Sequence, residues 1–252
     1  MQYDNLVPAV FHDRPNRFIA NIEIDGLLQA AHVKNTGRCR EILTPGAGIW
    51  VRKNNDPHRK TRYDVIAAQK GGRIINIDAS APNTAVREWL PHSGLFRSIS
   101  LIRPETVFGS SRFDFYIEGD GRKMFMEVKG ATLEEQGVVR FPDAPTERGL
   151  KHVRELEACL AQGFEACVLF VIQMKGVAYF EPNRATHPAF ADALYYARRA
   201  GVQILARDCV VTPDSMVIAD AVPVRLPAPS EPMQNPPDRS GGFCMGGYHR
   251  PR

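Results

Sequence analysis

The sequence predicts two folded parts, an all-β segment followed by a layered α/β domain, and three observations support this division. Short alternating strands separated by turn signals fill residues 1–81. From residue 82, helical and strand patterns alternate, as in layered α/β domains. After residue 224, Pro and Gly are frequent and no periodicity remains. We therefore expect a barrel over 1–81, an α/β domain over 82–224 and a disordered tail over 225–252.

The first part contains five short strands. Residues 18–24 alternate in polarity, Asp25-Gly26 is a hairpin signal, and the chain returns over 27–33. Further strands are predicted at 48–53, 63–69 and 73–77, the last two joined at Gly71-Gly72. A small OB-like β-barrel is an economical way to close such short strands.

The second part alternates helices and strands. Asn83 or Thr84 can cap a helix that ends near Leu90. A helix over 146–162 has Leu150, Val153 and Leu156 on one face, and residues 166–173 form an apolar run typical of a strand buried on both sides. The remaining elements are strands at 99–107, 113–118, 123–129 and 202–206 and a helix at 188–201. The overall class is thus a two-domain α+β and α/β protein.

The charge distribution favours a phosphate-bearing partner. The net charge is +4, but residues 34–62 hold eight basic side chains against two acidic ones. Clustered cations attract nucleic acid, although an ordinary solvated basic face fits the composition equally well.

Composition also excludes several classes. The five cysteines are scattered and form no C-x-x-C pair, which argues against a disulfide framework or a thiolate zinc site and predicts a reducing cytoplasm. No run is long enough for a membrane span, and the first residues do not have the pattern of a secretory signal, so we expect no membrane association. P-loop, dinucleotide-binding and H-E-x-x-H motifs do not occur.

A hairpin over residues 114–133 carries the main candidate site. If Asp120-Gly121 is a two-residue loop, position numbers across the ladder sum to a constant, and Asp114 lies opposite Glu127. Strict alternation then places Phe113, Phe115 and Ile117 on one face with Met124, Met126 and Val128, and the two acids on the other face with Lys129. Paired like charges are destabilising unless something compensates.

A divalent cation between Asp114 and Glu127 would relieve that repulsion, and carboxylate oxygens suit Mg²⁺ or Mn²⁺. Lys129 could orient a water or stabilise a charged transition state. Phosphodiester hydrolysis needs a metal that polarises a phosphoryl oxygen, an activated water and a cation that balances the developing charge. The alternative is an exposed sheet face with weak surface ion pairs among Arg112, Lys129 and the acids. Glu105 on the preceding strand is a further candidate metal ligand, and Glu88 on the first helix is a weaker one.

The chain resembles the sugar fermentation stimulation protein family of bacteria and archaea. The resembling blocks are RPNRFIANI (14–22), HVKNTGRC (32–39), SRFDFYIE (111–118), MEVKGATL (126–133) and FPDAPTERGLKHVREL (141–156). The resemblance implies DNA binding, an N-terminal OB-like barrel and a restriction-endonuclease-like PD-(D/E)XK domain. In that fold, an acid on the second core strand and (D/E)-x-K on the third form the metal site, which here implies Asp114, Glu127 and Lys129.

Several polar and aromatic side chains are candidates for contact with DNA. On the helix that follows Pro145, Arg148 lies where free backbone N–H groups could assist phosphate binding. Phe18 and Tyr63 could stack on bases, although a core or edge role suits Phe18 as well. The candidate nucleic-acid contacts are Arg14, Arg17, Lys34, Asn35, Thr36, Arg38, Arg59, Lys60, Arg62, Arg148 and Lys151.

The sequence thus predicts a DNA-binding protein that hydrolyses phosphodiester bonds with Mg²⁺ or Mn²⁺. The alternative is a non-catalytic, largely sequence-independent DNA-binding regulator of sugar (maltose) metabolism. An enzyme acting on a small phosphorylated metabolite is a third class, for which no sugar-binding signature is visible. The sequence does not distinguish single-stranded from double-stranded DNA as the partner, and it does not determine whether the protein forms a homodimer.

Overall fold

The computed structural model describes residues 1–35 and 37–229. The first part is a closed five-stranded barrel in which the strands pair in the circular order β1-β2-β3-β5-β4, with β6 extending the sheet beyond β5. The pairing of β3 with β5 is parallel and closes the barrel, whereas the other contacts are antiparallel. The strands are β1 (Leu6–Asn16), β2 (Ile19–Ile24), β3 (Leu27–Val33), β4 (Gly48–Lys53), β5 (Tyr63–Lys70) and β6 (Arg73–Asn76).

The strand β1 was not predicted. Its sequence contains Pro8 and Pro15, and proline within a run argues against a strand because it cannot donate to the ladder. The strand nevertheless pairs with both β2 and β4, with register shifts between Phe11 and Asp13 and between Asp13 and Asn16. Such irregularities bend a strand, which is how a long strand can serve two neighbours in a small barrel.

The second part is an α/β domain built on a six-stranded sheet in the order β15-β14-β12-β9-β8-β7. A smaller sheet, β10-β11-β13, lies beside it. The helices are α1 (Ala81–Trp89), α2 (Glu147–Leu160) and α3 (Pro188–Ala200). The strands are β7 (Ile99–Phe108), β8 (Ser111–Gly119), β9 (Arg122–Ala131), β10 (Leu133–Glu135), β11 (Val138–Phe141), β12 (Glu165–Ile172), β13 (Tyr179–Pro182), β14 (Gln203–Thr212) and β15 (Ser215–Ala221). The predicted fold class, an OB-like barrel followed by an α/β domain, is confirmed.

Strand β12 separates two hydrophobic cores. Val168 and Phe170 belong to the core that α2 and α3 cover, while Cys167 and Leu169 belong to the core that α1 covers. All four side chains are fully buried, as the apolar run predicted. The strand is parallel to both β9 and β14, which is typical of a central strand of an α/β sheet.

Helix α1 begins earlier than its capping pattern predicted. It starts at Ala81, with Pro82 in its first turn and Ser80 at the N-cap. Proline is well suited to a first turn because its missing N–H would have no partner there. Neither Asn83 nor Thr84 is the cap, so that prediction was wrong and the Asn83 side chain is available for another contact.

The barrel and the α/β domain share one hydrophobic core and several polar contacts. Ile22 and Val65 of the barrel belong to the same cluster of buried residues as Phe170 of β12. Across the boundary, Gln173 donates to the Asn76 side chain at 3.0 Å. The two parts are therefore held in one fixed arrangement.

The segment predicted as a tail begins with a packed residue. The guanidinium of Arg225 lies 3.8 Å from the ring centroid of Tyr179, and its backbone N–H donates to Phe180. The rest of the predicted tail, from residue 230 onward, lies outside the described residues. Within the described part of the chain, no helix is sufficiently long and apolar to cross a membrane.

Candidate metal-binding cleft

The candidate site is built on the β8–β9 hairpin, whose predicted register is confirmed from the loop as far as Phe115 opposite Met126. The predicted pair of Asp114 and Glu127 lies beyond the recorded ladder. Asp120 and Gly121 both have positive φ, 51° and 74°, as a two-residue type I′ loop requires. The ladder pairs Glu118 with Lys123 and continues to Phe115 opposite Met126. The loop therefore sets which residues of β9 lie beside those of β8.

The regular alternation ends at Asp114. The Phe113 ring lies 5.6 Å from the Phe125 ring in the core beneath α2, whereas Phe115 lies in the core beneath α1. The prediction that Phe113 shares a face with Phe115 was thus wrong. On the neighbouring strand β7, Glu105 has a φ of 54°, a left-handed conformation that is uncommon for a residue with a side chain. Both strands depart from regular geometry at the same level of the sheet.

This irregularity turns the Asp114 carboxylate toward β9. One of its oxygens accepts a hydrogen bond from the backbone N–H of Val128 at 2.7 Å, and the other accepts from Asn83 of α1 at 2.7 Å. Burial raises the pKa of Asp114, and the nearby negative charge of Glu127 raises it further. The two hydrogen bonds oppose this rise only in part, so the pKa of Asp114 lies above its usual range.

Glu127 is buried to 3% exposure and carries two close contacts on the same oxygen. Its Oε1 lies 2.5 Å from Nζ of Lys129 and 2.5 Å from Nδ1 of His152. Burial raises the pKa of Glu127, but the bonds from His152 and Lys129 outweigh it, and the pKa lies below its ordinary value. The other oxygen, Oε2, is buried and has no hydrogen-bond partner among the described residues.

His152 also contributes to the site, although it was not among the residues predicted for the metal site. It lies four residues after Arg148, on the side of α2 predicted to be opposite Leu150, Val153 and Leu156, yet it is only 5% exposed because the helix packs closely on the sheet. Nε of Arg148 lies 3.4 Å from Nε2 of His152. A carboxylate oxygen can only accept, so Nδ1 of His152 is the donor in the contact with Glu127. The position of His152 on a helix face with polar residues did not indicate that its side chain would be buried against the sheet.

These side chains line one polar cleft of about 240 Å³. Glu105 also lines the cleft, but it is half exposed and forms an ion pair with Arg112 at 2.6 Å. The weaker candidate Glu88 instead binds the N-terminal ammonium group at 2.6 Å. The polar and charged residues lining the cleft are Asn83, Glu105, Arg112, Asp114, Glu127, Lys129, Arg148 and His152.

The donor set fits a hard divalent cation. Asp114 and Glu127 supply carboxylate oxygens, and the buried Oε2 of Glu127 has no hydrogen-bond partner among the described residues. Within the described residues, no group of three or more His, Cys, Asp or Glu side chains is gathered as a complete ligand cage. A bound Mg²⁺ often keeps several waters, so two carboxylates are a sufficient protein contribution.

Three of the basic side chains predicted to contact DNA instead bind groups of the protein itself. The Arg14 guanidinium donates to four backbone carbonyls, and so holds the loop after β3 in place. Lys34 binds Asp78 at 3.2 Å, and Arg59 binds the buried Asp64 through two nitrogens. Their positive charge is directed inward, toward carbonyls and buried carboxylates.

The Asn35 and Lys151 side chains also have partners within the protein. Oδ1 of Asn35 accepts from the Gly37 backbone at 2.8 Å, and Lys151 donates to the Ser110 carbonyl at 3.0 Å. Tyr63 is half-buried and packs against the main core rather than standing free for a base. The predicted contact Thr36 lies outside the described residues.

The other predicted contacts are exposed. Arg17, Arg38, Lys60 and Arg62 make no side-chain hydrogen bond or ion pair with another residue that the structure describes. The Arg17 guanidinium lies 4.7 Å from the ring centroid of Phe18, which is 43% exposed. Arg62 borders a groove of about 340 Å³ in the β4–β5 connection. The barrel therefore keeps free cations on its loops.

Two family models match the chain, one for each structural part. The model described as the SfsA N-terminal OB domain matches residues 13–77. The model described as the sugar fermentation stimulation protein RE domain matches residues 80–215. The second match includes the whole hairpin and helix α2.

Relatives and a solved structure agree with these matches. The sugar fermentation stimulation protein homologs of Desulfitobacterium hafniense (strain DSM 10664 / DCB-2) and Clostridium beijerinckii are 54% and 52% identical over 226 residues, which is 90% of this chain and 99% and 100% of theirs. The structure of Pyrococcus furiosus SfsA in complex with Ca²⁺ is 28% identical, with a TM-score of 0.81, and the match covers 89% of this chain and 98% of that one. The chain belongs to the sugar fermentation stimulation protein family.

Proposed function

We propose that this protein binds DNA and hydrolyses its phosphodiester bonds with Mg²⁺ or Mn²⁺. One observation carries the proposal: Asp114 and Glu127 line the same small cleft, next to Lys129, and one buried oxygen of Glu127 has no partner among the described residues. Perturbed pKa values of both acids, in opposite directions, are typical of functional carboxylates.

Asp114 and Glu127 are the residues that would hold the cation. A bound Mg²⁺ or Mn²⁺ would polarise a phosphoryl oxygen and make a bound water more acidic. The relative from Pyrococcus furiosus was solved in complex with Ca²⁺, which like Mg²⁺ prefers oxygen ligands. That preference supports a hard cation for this family.

The protein's own residues would orient the substrate and balance its charge. Lys129 is only 18% exposed, so its ammonium group acts in a partly dehydrated site, where it can stabilise charge on the phosphate or orient a water. His152 holds Oε1 of Glu127, which leaves Oε2 directed away from that contact. Arg148, exposed at the cleft, supplies a cation for an incoming phosphate.

The barrel would bind the DNA backbone through its loops. In OB folds, the loops between the first two strands and between the fourth and fifth strands commonly bind oligonucleotides. Arg17 and Phe18 lie in the first of these loops, and Lys60 and Arg62 lie in the second. Binding through such cations depends steeply on salt and little on sequence.

A non-catalytic DNA-binding regulator of sugar metabolism is the second candidate, and one observation favours it. Glu127 already has Lys129 and His152 on one oxygen, so its charge is compensated without a metal. In that case the cleft would be a structural ion-pair network, and regulation would depend on DNA association alone.

The two candidates differ in cleavage. Wild type, Glu127→Gln and the exposed control Glu135→Gln are incubated with end-labelled single- and double-stranded DNA in Mg²⁺, Mn²⁺ or EDTA. We expect cleavage by wild type and Glu135→Gln only with metal, and none by Glu127→Gln. Binding of DNA by all three proteins with no cleavage under any condition would reject the nuclease and favour the regulator.

We further propose a reducing compartment, the cytoplasm, for this protein. Cys39, Cys159, Cys167 and Cys209 are free and buried. Burial raises the pKa of each of these thiols to about 12, which leaves them as unreactive core residues.

A further inference from the structure

A second cavity adjoins the metal-binding cleft, at the boundary between the barrel and the α/β domain. Its volume is about 300 Å³. Asn35 contributes a wall from the barrel, and Phe141 contributes one from the α/β domain. Gly130 of β9, which directly follows Lys129, lines both this cavity and the cleft. The two spaces are therefore neighbours separated by the width of one backbone segment.

The two spaces differ in chemistry. The cleft is lined largely by charged groups. The second cavity is mixed. Phe141, Leu133 and Pro145 give it apolar walls, and its polar and charged groups come from Asn35, Thr132, Arg140, Asp143 and Thr146. A nucleobase has apolar faces and a polar edge, so it suits a cavity that combines an aromatic ring for stacking with hydrogen-bonding groups.

The aromatic wall is rigid. The Phe141 ring is half-buried, and behind it lie the rings of Phe170 at 5.6 Å and Phe190 at 5.5 Å. These two residues are fully buried in the main core. A ring supported in this way loses little freedom when a ligand stacks on it.

The opposite wall is also held in place before any ligand binds. The backbone N–H of Arg38 donates to the Asp143 carboxylate at 2.8 Å, which ties the barrel loop to the approach of α2. Arg14 binds the carbonyls of Asn35 and Gly37 in the same loop, at 2.6 and 2.8 Å. The cavity is thus shaped by contacts from both domains, and the inward-directed Arg14 contributes to its form.

We propose that this cavity, the base pocket, binds an unpaired nucleobase of the DNA strand whose phosphate lies in the cleft. The inference rests on the proposed function. A base and its phosphate are adjacent in a nucleic acid, just as the pocket and the cleft are adjacent here. A base within a space of this size can be neither stacked on its neighbours nor paired. The substrate is therefore single-stranded DNA, or an unpaired end.

The test measures binding without turnover. A short fluorescein-labelled single-stranded oligonucleotide, and a series in which each nucleotide in turn is abasic, are titrated with wild type in EDTA by fluorescence anisotropy. We expect one abasic position to weaken binding on the order of tenfold, the others to have little effect, and the matching duplex to bind less tightly.

A pocket-filling variant adds a second arm. Ala144 lines the pocket, and Ala144→Trp should weaken binding of the intact oligonucleotide and remove the loss at the sensitive abasic position. Ala200→Trp, at the exposed end of α3 far from the Phe190 end, is the matched control and should behave as wild type. If Ala144→Trp does not fold, the abasic series on wild type tests the pocket by itself.

The outcomes separate this inference from the proposed function. Equal affinity for every abasic oligonucleotide, or discrimination that survives in Ala144→Trp, would overturn the base pocket while metal-dependent cleavage stands. Failure of wild type to bind or cleave any DNA would overturn both.

Discussion

Nδ1 of His152 on helix α2 lies 2.5 Å from Oε1 of Glu127 on strand β9, and both side chains are buried. The contact crosses from the helical layer to the sheet and fixes the orientation of a carboxylate that we propose as a metal ligand. Residues that orient ligands in this way are commonly as important as the ligands themselves.

Replacement of His152 by Asn should therefore weaken the site without removing any proposed ligand. Partners of metal ligands typically contribute about 10- to 100-fold to metal affinity or activity, and we expect a loss of that size. Isothermal titration with Mn²⁺ and the rate of DNA cleavage measure it. His92→Asn, on an exposed histidine, is the control, and unchanged Mn²⁺ affinity in His152→Asn would refute the orienting role.

Replacement of Asp114 by Asn should abolish metal binding yet leave the protein as stable or more stable at neutral pH. The folded-state pKa of Asp114 is raised, so wild type loses stability as pH rises from the unfolded pKa through the folded one. The amide introduced by Asp114→Asn cannot titrate, so this loss should be absent from the variant. Urea unfolding from acid to neutral pH measures the difference, and a variant less stable than wild type at every pH would contradict it.

Substitution of Arg14 should affect the stability of the protein, whereas substitution of Arg62 should affect DNA binding. Arg14→Gln removes donors from four backbone carbonyls and should lower the free energy of unfolding by about 1–3 kcal/mol. Arg62→Gln should leave stability unchanged and reduce the slope of log affinity against log salt by roughly 0.7–1. Thermal unfolding and salt-dependent DNA titrations of both variants test this, and an unchanged melting temperature for Arg14→Gln would count against its internal role.

Asp64 should contribute to resistance against acid. Burial raises its pKa, but hydrogen bonds from Asn54 and Arg59 and the charges of Arg59 and Lys34 lower it more. A lowered folded pKa gives stability that is present above the unfolded pKa and lost as pH falls through the folded one. Asp64→Asn should lower stability at neutral pH and flatten its dependence on pH below about 4. If the free energy of unfolding of wild type and of Asp64→Asn depended equally on pH below about 4, this contribution of Asp64 would be excluded.

Local patterns predicted those features that depend on neighbouring residues. The Asp120-Gly121 loop determines the hairpin register by its backbone geometry, and the register as far as Phe115 opposite Met126 therefore followed from the sequence. The buried strand β12 followed likewise from its apolar run. Both depend on interactions within a few residues or on composition alone.

Features that depend on distant partners could not be predicted. The inward use of Lys34 requires the buried Asp78, which lies 44 residues further along the chain, and the burial of His152 requires the packing of α2 on the sheet. The break at Asp114 coincides with the left-handed residue Glu105 on β7. Nothing in the spacing of these residues distinguishes them from ordinary surface charges or regular strand positions.

The shared core and the Gln173–Asn76 contact hold the barrel at a fixed distance from the cleft. With the proposed function, this fixed distance would determine where the bound DNA is cleaved. A strand held by the barrel loops would present the same internucleotide linkage to Asp114 and Glu127 on every encounter. Products would then differ in sequence but share a defined offset from the bound segment.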